Sequence, residues 1–309
     1  MNDPQDFAAL LNGKWIGADR LSLAVTDAGF VQGTTVAEQL RTFGGRLFRL
    51  DAHLDRLWHS LQIVGVQPPL DRRQMAQHAE ELVAHNHRLM GEGDDLGLCI
   101  FVTPGPYSTF APPGEPTVGM HTYRLPFHLW ASTYTNGQSL RSTRIRQVPA
   151  ACWPPELKCR SRMHYYLADR EAAAAEPGAR ALMLDLEGHV TEASTANILA
   201  FRESEGLISP PRESILPGIS METAFELAAA AGLPVVHRTL TVDDLCDAAE
   251  VLLSSTSPCL LPVTRIDGRR IGEGSPGPLF ARLMRAWGAK VGVDIVQQAE
   301  RHRGTDDRG

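Results

Sequence analysis

The chain reads as a two-domain α/β (α+β) protein, and three observations predict this. Its 309 residues suffice for two domains of ordinary size, each with a buried core. Apolar positions switch repeatedly between a period of two and a period of 3.6, so strands and helices are interspersed along the chain. A proline-marked break at Arg124-Leu125-Pro126-Phe127 follows a strand-like stretch and is the candidate inter-domain crossing. The expected domains are therefore 1–125 and 131–300, with a linker at 126–130 and a charged tail at 301–309 expected to be disordered.

Each element has its own local signal. Residues 13–17 and 21–25 read as short strands before the turn Thr26-Asp27-Ala28-Gly29. A strand from Val36 to Thr42 meets the two-residue turn Gly44-Gly45, and Leu47-Phe48-Arg49-Leu50 returns. Asp51 suits an N-cap for a helix with Leu54, Leu57 and Leu61 on one face. A second helix runs from about Arg72 to Met90, and Leu98 to Thr103 is a buried strand. The stretch 104–119 is too rich in proline and glycine for regular structure and reads as a loop, with Thr117 to Tyr123 strand-like at its end. Further on, strands are expected at 140–146, 180–185, 197–202 and 250–254. Helices are expected at 161–175, from Gly218 to Gly232, and at 278–288.

The composition excludes several classes. The net charge of −6 lacks the basic excess of a nucleic-acid binder. No apolar run reaches the roughly 18 residues of a membrane span, and the polar start shows no signal peptide. Five cysteines without a Cys-x-x-Cys pair fit reduced thiols in a cytoplasmic protein, not a disulfide framework or a zinc site. Gly272-Glu273-Gly274-Ser275-Pro276-Gly277 matches a dinucleotide fingerprint in letters only, because its proline and its late position do not fit a βαβ unit. His85-Asn86-His87 has metal-like letters, but on a helix its imidazoles diverge, and both are expected to face solvent.

The chemistry centres on Lys158. The chain has three lysines, Lys14, Lys158 and Lys290, and otherwise uses arginine. An amine that can lose its proton attacks aldehydes to form a Schiff base, a role arginine cannot fill. Glu192, in Val190-Thr191-Glu192-Ala193, offers a carboxylate that could keep a pyridine nitrogen protonated. Gly218-Ile219-Ser220 opens a helix whose free N–H groups form an anion site. Thr256 ends a buried strand, and Arg56 could add a bidentate charge, although a helix arginine paired with a nearby aspartate is the plainer reading. Lysine, acid and paired anion sites, in this order, point to a pocket for pyridoxal 5'-phosphate.

The collinear segments make the case specific. They are Asp27-Ala28-Gly29 through Glu38 to Arg41, Phe48-Arg49-Leu50, His53-Leu54-Asp55-Arg56-Leu57, Lys158, and the helix through Glu171-Ala172. They continue with Asp185 to Glu192 and Asn197, Ile215 to Ser220, and Ile271 to Pro278. Taken together the chain resembles the class IV pyridoxal-phosphate aminotransferases, a family that includes branched-chain and D-amino-acid aminotransferases and aminodeoxychorismate lyases. The resemblance implies a two-domain fold of type IV, with a small N-terminal α/β domain, a larger C-terminal pseudo-barrel domain and the cofactor between them. It implies a homodimer and amino-acid and 2-oxo-acid substrates. Lys158 then corresponds to the Schiff-base lysine, Arg56 to the phosphate arginine and Glu192 to the pyridinium partner. Leu216, Ile219, Ser220 and Thr256 correspond to positions that line the ring or hold the phosphate.

The departures lie on the substrate side. Gly33-Thr34-Thr35 replaces the usual Gly-Asp/Glu-Gly, and Ala37 stands where an aromatic is common. Thr103-Pro104-Gly105 replaces the carboxylate-binding Thr-Arg-Gly of D-amino-acid aminotransferases, and Met163 stands where branched-chain enzymes carry tyrosine. Arg162 matches a position where lyases also carry arginine, which keeps pyruvate release as the alternative outcome. Arg41 is the candidate partner for a substrate carboxylate.

Overall fold

The computed structural model describes residues 7–302. Its first unit runs to Leu125 and takes back the later segment Leu157–Ser161. Here β1 (Ala8–Leu11) turns into β2 (Lys14–Gly17) through Asn12 and Gly13, both at positive φ, the hairpin geometry that Asn-Gly favours. Residues 21–25, expected as a strand, carry no regular structure. They lead to buried Asp27, whose carboxylate accepts from Gly29 N at the start of α1 (Ala28–Val31) and from the Thr103 and Thr117 hydroxyls. β3 (Val36–Phe43) returns through Gly44-Gly45 into β4 (Arg46–Leu47), shorter than the expected return strand.

α2 (Leu50–Val64) begins one residue before Asp51, after Arg49 in the left-handed conformation; Asp51 lies in the first turn instead of capping it. An acid there still suits the positive end of the helix dipole. α3 (Arg72–His87) has a full capping box between Asp71 and Gln74. β5 (Leu96–Thr103) and β6 (Thr117–Arg124) complete a six-stranded sheet in the order β2-β1-β6-β5-β3-β4. Both helices pack on one face of it. Leu54, Leu57 and Leu61 of α2 and Met75, Ala79 and Leu82 of α3 meet Leu40, Leu98, Ile100 and Met120 in one cluster, and Leu157 packs against it. The expectation that His85 and His87 face solvent fails. Both are half-buried, and fully buried Asn86 bonds the Ala8 backbone and the Thr122 hydroxyl, tying α3 to the sheet.

The second unit begins with α4 (Thr133–Asn136) and β7 (Gln138–Arg146). α5 (Met163–Ala175) leads to β8 (Arg180–Leu184), which lies parallel to β7, as expected of strands joined through a helix. Then come β9 (Val190–Ala193), β10 (Ala196–Arg202), β11 (Gly206–Ser209), α6 (Ile219–Ala230), β12 (Val235–His237) and α7 (Val242–Cys246). β13 (Glu250–Ser255), β14 (Cys259–Ile266), β15 (Arg269–Arg270), α8 (Pro278–Val291) and α9 (Ile295–Arg301) finish the unit. Neighbouring strands run β10-β13-β14-β7-β8-β9, and β9 pairs again with β10, so this part of the sheet closes into a barrel. Closure removes two sheet edges. Glu192 and Asn197 are directly opposed at this closing seam. Of the tail expected at 301–309, Arg301 ends α9, and 303–309 lie outside the described residues.

α8 has no side-chain cap of its own, yet its free N–H groups are satisfied from β13. The buried Glu250 carboxylate accepts from Leu279 N at 2.6 Å and Phe280 N at 2.9 Å, and Gly277 leaves the room it needs. Glu250→Ala is expected to lower the unfolding free energy by about 1–3 kcal/mol, the usual cost of stripping partners from buried donors. Glu250→Gln, which keeps an acceptor, should recover most of it; urea denaturation followed by circular dichroism measures both.

Candidate active site

Lys158 owes its position to strand pairing. In the segment Leu157–Ser161, Val36 and Cys159 form an antiparallel bridge, with Ala37 N donating to Lys158 O and Arg160 N to Thr35 O. Lys158 N donates to the Ser60 hydroxyl, and the Ser161 hydroxyl donates to Gly33 O. Lys158 is half-buried and extends from a backbone held at both ends. Nothing in its local periodicity signalled that this stretch joins the N-terminal sheet, because bridges of this kind are long-range.

α2 carries two stripes. Beside the apolar Leu54, Leu57 and Leu61 runs a buried polar row at the same spacing, His53, Arg56 and Ser60. His53 and Arg56 of this row serve Glu38 of β3, which is fully buried. Arg56 Nε donates to Glu38 Oε1 at 2.7 Å and Arg56 Nη2 to Oε2 at 2.8 Å, while His53 Nδ1 lies 2.8 Å from Oε2. Burial works against the Glu38 charge. The Arg56 charge, the hydrogen bonds from Arg56 and His53, and the Lys158 charge outweigh it and hold the carboxyl below the usual range. Glu38 is therefore ionised, accepts only, and His53 must present Nδ1–H to it. Burial pushes the His53 pKa down, and the positive charges of Arg56 and Lys158 add to that, against the pull of Glu38. Arg56 is thus not the solvated arginine of the plainer reading; it is 8% exposed and bidentate to Glu38.

Glu192, on β9, is 4% exposed and ringed by donors. Asn197 Nδ2 and Leu216 N donate to Oε1 at 3.0 and 2.9 Å; the Tyr165 hydroxyl donates to Oε2 at 2.9 Å and Gln147 Nε2 at 3.4 Å. Burial and the neighbouring Glu192 charge push the Tyr165 phenol well above its ordinary value, so it stays a donor. Asn197 also donates to Leu216 O, which locks the approach to α6. The first turn of α6 has no side-chain cap, so its N–H groups at Ile219 and Ser220 remain for an anion. A Cβ on Gly218 would stand 1.9 Å from Asn197 Oδ1. Glycine here is a requirement of close approach. Thr256 is half-buried, two residues beyond Ser254, which pairs with Asn197 across β10 and β13. Leu216, Ile219, Ser220, Thr256 and Glu192 therefore gather at one end of the second unit's barrel.

Arg41 is 1% exposed, lies 4.0 Å from Asp95 and stacks its guanidinium over Phe43. Its charge is engaged within its own sheet. Glu38, His53 and Asn197 lie inside segments that carried the family resemblance but received no role from sequence; Tyr165 and Gln147 gave no signal at all. The buried polar row on α2 was the one legible clue, a second helical stripe displaced by one residue from the leucines.

Two outcomes follow. Gly218→Ala is expected to push Asn197 off Glu192 and cost about 1–3 kcal/mol of stability, seen as a lower midpoint in urea. The His53 pKa is lowered from 6.5, so the unfolded chain takes up a proton first and stability is lost as pH falls below that value. Glu38, also depressed, adds stability above 4.5 that is lost only at lower pH. His53→Asn, which keeps a donor toward Glu38 without a titrating ring, should flatten the loss between pH 6.5 and 5 in urea unfolding.

A model of the family described as amino-transferase class IV matches residues 35–266, most of the chain. The D-alanine aminotransferase of Bacillus licheniformis is 29% identical, with 90% of this chain and 94% of that protein covered. The branched-chain-amino-acid aminotransferase of Pseudomonas aeruginosa is 29% identical over 82% of this chain and 83% of its own length. Among solved structures, the branched-chain amino acid aminotransferase of Escherichia coli superposes with a TM-score of 0.84 at 22% identity, covering 92% of this chain and 94% of that one. The branched-chain aminotransferase of the archaeon Thermoproteus uzoniensis, solved with norvaline, gives 0.82 at 24%, covering 96% and 97%. Among the described residues no helix is long and apolar enough to cross a membrane. A lysine beside an antiparallel bridge, a buried acid ringed by donors and an uncapped helix N-terminus sit where this family model runs, and the chain belongs to amino-transferase class IV.

Proposed function

We propose that the protein transfers an amino group from an α-amino acid to a 2-oxo acid with pyridoxal 5'-phosphate, in the cytoplasm and as a homodimer. The observation that carries this reading is the joint presence of strand-held Lys158 in the first unit and the donor-ringed Glu192 carboxylate in the second. When bound, the cofactor supplies an aldehyde for the lysine amine and a conjugated ring that accepts electrons from the substrate's α-carbon. Glu192 would present a negative charge to the pyridine nitrogen. Of the four contacts named above, that of Gln147 is the longest, 3.4 Å. In the first unit Arg56, and in the second the α6 N-terminus at Ile219 and Ser220 and the Thr256 hydroxyl, are the groups that would receive a phosphate, and Leu216 would line the ring. Two of the Arg56 nitrogens face Glu38, so Arg56 acts on an anion with its orientation already set.

Lys158 has a second task, moving the proton to and from the α-carbon. Arg41, buried on Asp95 and Phe43, is the weaker candidate for a substrate carboxylate. The names of the similar proteins suggest branched-chain amino acids or D-alanine as donors, and a panel of L- and D-amino acids decides between them.

Lys158→Ala is expected to lower the rate by at least about 10³-fold, consistent with loss of a covalent and acid–base group. It should also abolish cofactor fixed to the chain by borohydride, read by mass spectrometry on the peptide holding residue 158. Full activity in this variant overturns the proposal. Steady release of pyruvate without amino transfer to a 2-oxo acid would instead mark the lyase outcome.

A further inference from the structure

The face of the first unit's sheet opposite its helices carries a cation that the cofactor reading does not use. Val36 belongs to the helix-covered core, and its bridge partner Cys159 shares that face. Side chains alternate along a strand, so Lys158 and Arg160 project together to the opposite face. On β3, β5 and β6 the same alternation sets Gln39, Cys99 and His121 there in one row, since their neighbours Leu40, Leu98, Ile100 and Met120 are in the core. Arg160 lies across this row, with its Nη2 donating to Cys99 Sγ at 3.0 Å. It is half-buried, and its charge helps to hold the His121 pKa down, after burial itself. No carboxylate is in ion-pair contact with Arg160 among the described residues, and a thiol is a weak acceptor for a guanidinium. Arg41 projects to the same face but is engaged by Asp95.

We propose that Arg160 is the carboxylate anchor of this enzyme: the guanidinium two residues beyond Lys158, on the same sheet face, receives the α-carboxylate of the amino-acid substrate. The position of the carboxylate-binding arginine of D-amino-acid aminotransferases is occupied by Pro104 here, and Arg160 supplies the missing charge from a different strand. Arginine suits the task because its planar fork matches a carboxylate with two parallel bonds. On binding, one N–H leaves the Cys99 sulfur for a carboxylate oxygen, a stronger acceptor. The neutral imidazole of His121 and the Gln39 amide flank the anion without opposing its charge. The inference rests on the aminotransferase reading given above for the choice of ligand, though not for the geometry.

The test compares an amino acid with its amide, for example alanine of the active hand with the matching alaninamide, in cofactor-saturated protein. The wild type is expected to prefer the acid by about 10–100-fold in kcat/KM, the range of a charged hydrogen-bonded pair. Arg160→Gln should erase that preference mainly through KM, leaving the amide's kcat/KM within about threefold. Arg160→Lys should restore part of it. A binding readout independent of turnover uses propanoate and propanamide as probes in ligand-observed NMR. Propanoate should bind the wild type, more weakly Arg160→Gln, and propanamide neither. Retained acid preference in Arg160→Gln, or equal losses on acid and amide, overturns the proposal. If Arg160→Gln does not fold, a wild type that binds propanoate no better than propanamide overturns it as well. Failure of the wild type to fix cofactor on Lys158 would strike the aminotransferase reading instead, while carboxylate-specific binding of propanoate would still stand on its own.

Discussion

The antiparallel pairing of residues 157–161 with the start of β3 is the constraint on which the proposed chemistry depends. A lysine side chain has four flexible carbons, and a reactive amine on a free loop would spread its position over many rotamers. Here the backbone on either side of Lys158 is fixed by hydrogen bonds to Ala37 and Thr35, its own N–H by Ser60, and Leu157 is sunk in the apolar cluster. Conformational entropy is therefore lost on folding, before any ligand arrives. The same pairing decides which face Lys158 and Arg160 share, because a slip of one residue would turn both toward the helices.

Two buried carboxylates are built for opposite purposes. Glu38 is surrounded by Arg56, His53 and the field of Lys158, so its charge is compensated internally and orients the arginine. Breaking such a buried pair leaves an unpaired charge, which costs far more than an exposed pair gains. The donors named around Glu192 are neutral: an amide nitrogen of the backbone, two carboxamides and a phenol. They satisfy the oxygens without cancelling the negative charge. The location at the seam where β9 meets β10 makes the arrangement rigid, since Asn197 pairs with Glu192 in the ladder and bonds it through the side chain as well.

Much of this was readable along the chain. The helices of the first unit, the strands at β3, β5, β10 and β13, the start of α6 and the stop at Gly232 follow from periodicity and caps. Misplaced elements were those whose local signal was overridden. Residues 21–25 are apolar enough for a strand but pair with no strand among the described residues, and Asp51 fits a cap that the left-handed Arg49 pre-empts. β9 and β14 were not expected as separate strands. Barrel closure is a property of pairing, and pairing partners far apart in sequence leave no periodic trace.

By itself the sequence determined which residue types were present for the proposed reaction: one central lysine in an arginine-rich chain, an acid after a turn, a glycine opening a helix, and the order that joins them to a family. The tertiary structure alone decided how those groups are held. It returned residues 157–161 to the N-terminal sheet, buried Arg56 on Glu38, committed Arg41 to Asp95 and laid Arg160 across Cys99. The physical reason is that charge and hydrogen-bond partners are selected by distance in space. Neighbours in the chain constrain backbone shape, while the partner of a buried charge is whatever the fold brings within about 3 Å.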